Sequence, residues 1–329
     1  MKKKQTTLLL LLALIVLAGG VLALLEWHAA REEEAASAAA EGTLPLSSFA
    51  LEDLTRIQYT YAGETLTLDY ADGVWTLADD PNYHLDSSAC NTMATALSAL
   101  NAKRQLDAEA GEDYGLEDPL VSVTVSAAGQ TTTILFGAEN PVTGDVYLQK
   151  EGETAVYTAA SSKRSCFEQT KEELFGAFNP AGLTSLSLEA VRYTLHDGTS
   201  VRIVAVSEPV EPDGEAEENT DTEPEYKTVW RLSDDTGAEV DTTRVQTLLS
   251  ALSSYVSAQD TSADPAQYGF DAPTITVEAQ TAEGTVTLWY SVAADGCYLM
   301  VSGDRSIYRV DSTLPGAFPA SAEEWKPAE

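Results

Sequence analysis

A six-residue motif occurs twice in this chain, and its repetition constrains the fold more than any other feature. Residues 114–119 read Tyr-Gly-Leu-Glu-Asp-Pro and residues 268–273 read Tyr-Gly-Phe-Asp-Ala-Pro, an offset of 154 (268 − 114). At an offset of 155, Val-Trp-Thr-Leu at 74–77 superposes on Val-Trp-Arg-Leu at 229–232. Two spaced matches in register predict one module written twice. A length of 329 residues suffices for two domains with separate cores.

The first copy shows a strand pattern followed by a helix pattern. Apolar and polar residues alternate in short runs between residues 54 and 77, with Gly-containing turns between the runs, which predicts an antiparallel meander. A helix is predicted over residues 86–100, because Asp86 is a capping residue and an apolar stripe follows it. The stripe consists of Cys90, Met93, Leu97 and Leu100. Further hairpins are predicted between residues 121 and 158.

The second copy repeats this order from its own capping residue, Asp241. The apolar stripe of its predicted helix consists of Val245, Leu248, Leu249, Leu252 and Tyr255, and strand patterns follow between residues 275 and 310. The sequence therefore predicts an α+β fold of two tandem modules, each an antiparallel β-sheet packed by an α-helix. We assign the modules to residues 47–180 and 181–329.

Three other segments join or interrupt the modules. Residues 161–174 are predicted as a helix that closes the first module, and Asn-Pro-Ala-Gly at 179–182 as the linker. Residues 208–226 are rich in Pro and acid and predict a disordered insertion in the second module. Because their carboxylates lack the spacing of a calcium-binding loop, we predict a solvated loop rather than a metal site.

The N-terminus carries the pattern of a membrane anchor. Lysines at positions 2–4 precede an apolar run at residues 8–25, which is long enough to span a bilayer and longer than the apolar part of a cleavable signal. We predict a cytoplasmic and transmembrane segment at 1–27, a polar stalk at 28–46, and all later residues outside the cell membrane. Cleavage in the Ala-rich sequence at 35–38 is the alternative.

Charge and cysteine content exclude several classes of function. With 19 Lys and Arg against 52 Asp and Glu, the formal net charge is −33, which disfavours nucleic acid as a partner. Cys90, Cys166 and Cys297 are too few for a disulfide scaffold or a zinc site, and we expect buried, inert thiols.

No stretch carries a catalytic, cofactor-binding or metal-binding signature. The residues of interest are those that repeat: Trp75, Tyr114, Gly115, Pro119, Trp230, Tyr268, Gly269 and Pro273. Gly permits a positive φ, Pro stops a helix, and the Tyr ring packs while its hydroxyl bonds. Because the motif recurs in equivalent places, a structural corner is favoured over a ligand site, and both Trp residues are expected to anchor the module cores.

The chain resembles the bacterial family known as domain of unknown function 4340. The resemblance lies in the N-terminal anchor, Leu-Thr-Arg-Ile at 54–57, Gly-Val-Trp-Thr-Leu at 73–77, the helix at 86–100 and the motif at 114–119. It implies a membrane-anchored extracytoplasmic protein, encoded in some members beside ABC-transporter components of the gliding-motility type. It supplies no catalytic residues.

These features favour a non-enzymatic extracytoplasmic binding or assembly subunit, accessory to a membrane complex of the ABC-transporter type. Two alternatives stay open: an envelope hydrolase that acts on wall glycan or peptide, and an extracytoplasmic sensor of a solute or cation. Two convergent carboxylates about 5–10 Å apart would favour the hydrolase.

Overall fold

The computed structural model of the protein describes residues 44–106, 112–210, 225–233 and 238–327. These residues form two compact units, one from 44–75 and 88–170, the other from 76–87 and 171–327. The predicted anchor and nearly all of the predicted stalk lie outside the described residues. Within the ranges just given, no helix has the length and apolar character that crossing a membrane requires.

The described part of the first unit consists of ten strands and two helices. The strands are β1 (Leu44–Ser48), β2 (Leu54–Tyr61), β3 (Glu64–Ala71), β4 (Val74–Leu77), β5 (Ala99–Ala102), β6 (Arg104–Leu106), β7 (Val121–Ala127), β8 (Gln130–Glu139), β9 (Asp145–Lys150) and β10 (Val156–Ala160); the helices are α1 (Ser87–Ser98) and α2 (Ser162–Ser165). Eight strands form one antiparallel sheet in the order β4-β3-β2-β7-β8-β9-β10-β6. The other two, β1 and β5, pair with each other.

The described part of the second unit consists of eight strands and one α-helix. They are β11 (Leu188–Leu195), β12 (Ser200–Pro209), β13 (Tyr226–Leu232), α3 (Thr242–Leu252), β14 (Ala258–Asp260), β15 (Ile275–Thr281), β16 (Gly284–Ala293), β17 (Gly296–Val301) and β18 (Ile307–Val310). The sheet order is β13-β12-β11-β15-β16-β17-β18-β14.

The two eight-stranded sheets have the same connectivity. β11 takes the place of β2 at an offset of 134 residues (188 − 54), and β15 takes that of β7 at 154 (275 − 121). The helix lies between the fourth and fifth large-sheet strands along the chain in neither case by chance, since the outer strand and the helix also share the 155-residue offset (242 − 87). The predicted pair of tandem modules is therefore confirmed, and the fold is mostly β.

Alternating side chains give each sheet one buried and one solvated face, as expected for antiparallel sheets. In the first unit, Val121, Val123 and Val125 are buried, and α1 buries Cys90 and Met93. The ring of Phe167 also packs in this core, 5.9 Å from that of Tyr59 and 6.3 Å from that of Phe136.

The second core is built by the same rule. Val245, Leu248 and Leu252 of α3 lie in one cluster with Val191 and Val277 of the sheet. The predicted cap is confirmed, because the Asp241 carboxylate accepts the N–H of Arg244 at 3.0 Å. The 3₁₀ turn Glu323–Trp325 adds Trp325, which is fully buried.

The predicted helix at 161–174 is wrong. Only α2 is helical, because side chains and strands elsewhere in the fold take the carbonyls that a longer helix would use. The Tyr59 hydroxyl donates to the Gln169 carbonyl at 2.8 Å, and the N–H of Asp86 donates to the Leu174 carbonyl at 2.8 Å. These tertiary bonds satisfy the backbone without a helix.

Smaller corrections concern the ends of elements. Leu100 is buried but lies in β5, after α1 has ended. Tyr255 lies beyond α3 and is exposed. Residues 44–46 of the predicted stalk belong to β1, and residues 208–209 and 226 of the predicted insertion belong to β12 and β13. Residues 211–224 of that insertion lie outside the described part of the chain.

Candidate functional site

The repeated motif forms a tight corner in the first unit. Gly115 has a φ of +68°, a conformation that Gly adopts readily and other residues rarely do. The Tyr114 carbonyl accepts the N–H of Ala138 in β8 at 2.8 Å. The Tyr114 ring meets that of Tyr147 in β9 edge to face, with centroids 4.9 Å apart, and its hydroxyl donates to the carboxylate of Glu112.

The second copy of the motif repeats this geometry. Gly269 has a φ of +81° and ends the 3₁₀ turn Pro265–Tyr268. The Tyr268 ring meets that of Tyr298 in β17 edge to face at 4.6 Å, and its hydroxyl donates to the Asp260 carboxylate at 3.0 Å. In both units the corner is thus held by a Tyr–Tyr contact to the equivalent strand and by a hydroxyl–carboxylate bond.

Packing around the two glycines leaves no room for a side chain. A Cβ on Gly115 would lie 2.8 Å from the backbone nitrogen of Ala138, and one on Gly269 would lie 2.8 Å from the Ser291 hydroxyl. Pro119 and Pro273 precede β7 and β15 by one residue each. These contacts assign the motif a structural task, and they present no ligand groups.

The two repeated Trp residues occupy equivalent strands but differ in burial. Trp75 of β4 is buried, its indole N–H donates to the Asn91 side chain at 2.9 Å, and its ring lies 4.6 Å from that of Tyr70. Trp230 of β13 is only partly buried against its core. The structure therefore gives Trp75 the expected core position, while Trp230 keeps part of its surface in solvent.

A polar network lies along the β14 edge of the second unit. The carboxylate of Asp80 accepts bonds from the Lys171 ammonium at 2.9 Å and from the Thr261 hydroxyl at 2.5 Å. The Lys171 ammonium also lies 4.6 Å from the centroid of the Tyr83 ring. These partners are 91 and 181 residues from Asp80 in sequence, so sequence patterns gave no signal for them.

His84 is a fixed part of the same edge. Its ring stacks on that of Phe178 with centroids 3.9 Å apart, and Nδ1 lies 2.7 Å from the Gly176 carbonyl oxygen. Its backbone N–H donates to the Gln259 side chain at 2.8 Å, and Gln259 donates in turn to Ser306 at 3.0 Å. Each of these groups serves another group of the fold, which is typical of a structural network.

The perturbed carboxylates of the second unit favour the ionised form. Partial burial acts to raise the pKa of Asp304, but hydrogen bonds from Tyr308 and Ser306 outweigh it, so that pKa is lowered. The same balance, with bonds from Ser262 and Tyr268, lowers the pKa of Asp260. A glycosidase general acid needs the opposite, a raised pKa.

Arginines mark the solvated face of the second sheet. Arg192 of β11 lies directly opposite Arg202 of β12 and, on its other side, opposite Glu278 of β15. Both arginines line a cavity of about 310 Å³ together with Glu278 and Gln280. No sequence motif pointed to this pair. An alignment of the two copies at the 134-residue offset of β2 and β11 would have found it.

The thiols and metal-binding residue types form no site in the described parts of the chain. All three cysteines are free; Cys90 and Cys297 are buried as expected, whereas Cys166 is only partly buried. Burial raises the pKa of Cys166 and of Cys297 to about 11 each. Across the same ranges, no group of three or more His, Cys, Asp or Glu side chains is arranged to hold a metal ion.

The geometry defines a class of protein built from a duplicated antiparallel sheet, with each helix-covered core matched by an open polar face. A family model described as "Domain of unknown function (DUF4340)" matches residues 75–228 and 230–327. The chain belongs to this family, which confirms the resemblance seen in the sequence. Neither the comparison with curated proteins nor that with solved structures gives a match.

Proposed function

We propose that the protein is a non-enzymatic binding or assembly subunit, anchored in the bacterial cell membrane by residues 1–27 with both modules outside the cytoplasm. Its expected partner is a membrane complex of the ABC-transporter type. The observation that carries the proposal is the duplicated sheet, because each copy offers one broad solvated face on a rigid core.

The composition of these faces supports a binding task. On the first sheet, hydroxyl groups meet across the strands: Thr60 with Thr65 at 2.9 Å, and Thr124 with Thr133 at 2.9 Å. On the second sheet the same face carries charged groups. Two modules with one topology and different outer faces suit a subunit that contacts more than one group of a larger assembly.

The hydrolase alternative has less support in the site chemistry. Its general acid would need a carboxyl group with a raised pKa in a cleft. Among the described carboxylates with a shifted pKa, each shift is downward, as for Asp260 and Asp304. The hydrogen bonds that lower these pKa values also tie the carboxylates to neighbouring hydroxyls, which suits a structural role.

Gentle affinity purification tests the proposed partner. The full-length protein is extracted from its own membranes in mild detergent, and co-purifying proteins are identified by mass spectrometry. The matched control is a chain that begins at residue 28. Transporter subunits enriched with the full-length protein and lost with the control are the expected result. Recovery of no membrane protein by the full-length chain would refute the assembly role.

Cysteine labelling tests the proposed side of the membrane separately. Val142 is 90% exposed, so Val142→Cys presents a reactive thiol, whereas the natural thiols are buried or partly buried. In intact cells, a membrane-impermeant maleimide is expected to label this variant and leave the natural protein unlabelled. Labelling only after lysis would place the modules in the cytoplasm and contradict the proposal.

A further inference from the structure

Two like charges face each other at the centre of the second sheet. Arg192 and Arg202 are direct cross-strand partners, and such partners have Cβ atoms about 4.5–5.5 Å apart. Like charges in this arrangement destabilise a sheet. The pair occurs in a chain with 19 basic and 52 acidic residues, where carboxylates are the common choice for a solvated position.

The first unit shows that the fold does not need this pair. Because Ile57 and Tyr59 occupy the positions of Val191 and Tyr193 in the ladder to the neighbouring strand, Gln58 corresponds to Arg192. Gln58 lies opposite Thr67 and Thr124, where Arg192 lies opposite Arg202 and Glu278. Neutral residues therefore fill the same three positions in a sheet of the same connectivity.

The two units also differ in how their arginines are neutralised. In the first, Arg56 contacts Asp69 at 2.6 Å in a charge-assisted bond. In the second, Arg192 reaches Glu278 only at 3.8 Å, with both side chains about half exposed.

Arg202 has neutral partners at the long end of the hydrogen-bond range. It donates to the Ser233 hydroxyl at 3.3 Å and to the Gln280 amide oxygen at 3.4 Å. Two guanidinium groups thus share one distant carboxylate, which leaves positive charge and N–H donors directed to the cavity that both arginines line.

We propose that Arg192 and Arg202 form a binding site for an oxyanion group, a phosphate or a carboxylate, on the outer face of the second sheet. A bound oxyanion relieves the repulsion between the arginines and accepts their N–H groups in the bidentate geometry that guanidinium favours. Gln280 adds an amide group at the rim of the same cavity. The site needs neither the anchor nor a membrane partner, so it stands independently of the assembly role.

Calorimetric titration of the purified full-length protein at low ionic strength tests the site. The probes are inorganic phosphate and malonate, which separate the two kinds of oxyanion. Saturable binding of at least one probe is expected, weakened about tenfold or more in R192Q/R202T and weakened by added salt. This variant installs the residue types that the first unit has at these positions. R56Q, which breaks the ion pair of the first sheet, is the control and is expected to bind normally.

Thermal unfolding separates binding from a structural role. Phosphate or malonate, whichever binds, is expected to raise the melting temperature of the natural protein and to have little effect on R192Q/R202T. Without anion, the variant is expected to melt no lower than the natural protein, because it loses a repulsive pair. Equal affinity of both proteins, no saturable binding of either probe, or a variant that melts lower and is stabilised equally would overturn the proposal.

Discussion

The burial of Trp325 makes this residue the most sensitive test of the second core. Its side chain is 0% exposed, its indole N–H donates to the Tyr193 hydroxyl at 2.7 Å, and that hydroxyl donates to the Pro319 carbonyl at 2.7 Å. Burial raises the pKa of Tyr193 to about 12, so the hydroxyl remains a neutral donor. Trp325 therefore joins the C-terminal segment to the centre of β11 through packing and a chain of hydrogen bonds.

Trp325→Ala is expected to lower the free energy of unfolding by about 3–5 kcal/mol. A buried Trp removes ~150–250 Å² from water, and substitutions of this kind in cores cost that amount. Trp325→Phe keeps most of the ring and removes the indole N–H, so its expected cost is about 1–2 kcal/mol. The hydrogen bond and the packing contribute separately, and the two variants distinguish them.

Urea unfolding followed by far-ultraviolet circular dichroism measures these costs without depending on indole fluorescence. Leu186→Ala is the control, because Leu186 is 97% exposed and its truncation is expected to change stability by less than about 0.5 kcal/mol. A cost below about 1.5 kcal/mol for Trp325→Ala, or equal costs for the Ala and Phe variants, would refute this account of the core.

Three further predictions follow from the corners, the carboxylates and the thiols. Gly115→Ala is expected to destabilise more than Gly269→Ala in urea unfolding, because the added Cβ meets backbone in the first case and a hydroxyl that can rotate in the second; equal costs would contradict this. The lowered pKa of Asp304 means that its stabilisation is present above its unfolded pKa and is lost as pH falls through the folded value, so the stability difference between natural protein and D304N should shrink below about pH 4. A pKa of about 11 for Cys166 predicts slow reaction with a thiol reagent at pH 8 in the native protein and fast reaction in denaturant.

Local patterns were sufficient to predict most of the strands and both long helices. Period-two alternation located β2, β3 and β7, and the apolar stripes located α1 and α3, because burial of one face imposes these periods directly on the sequence. The repeat then extended each assignment from one copy to the other. The shared order of the eight-stranded sheets follows from the same duplication.

Long-range interactions explain the helix that was predicted wrongly. Residues 161–174 contain apolar positions at helical spacing, yet Phe167 and Leu174 are buried by packing on other elements. Donors from Tyr59 and Asp86, far away in sequence, satisfy the carbonyls of this segment. A local pattern records only that a side chain is buried, and the partner that buries it decides the backbone conformation.

The network around Asp80 and the arginine pair were missed for different reasons. The network joins residues from distant segments, each of which is ordinary alone. The arginine pair was within reach of the repeat, but the offset changes from 154 to 134 residues between the motif and β11, so Gln58 and Arg192 were never aligned. A repeat read at one offset recovers the parts of a module that share it and passes over those displaced by insertions.

Duplication gives this protein an internal control for separating structure from function. Where both copies keep a feature in one geometry, as with the corners at Gly115 and Gly269, the shared fold accounts for it. Where one ladder position holds Gln58 in the first copy and Arg192 in the second, the fold accepts either residue, and a different requirement must explain the charge. The outer face of the second sheet meets this condition while the repeated motif does not. A search for ligands should therefore begin at positions where the two copies differ.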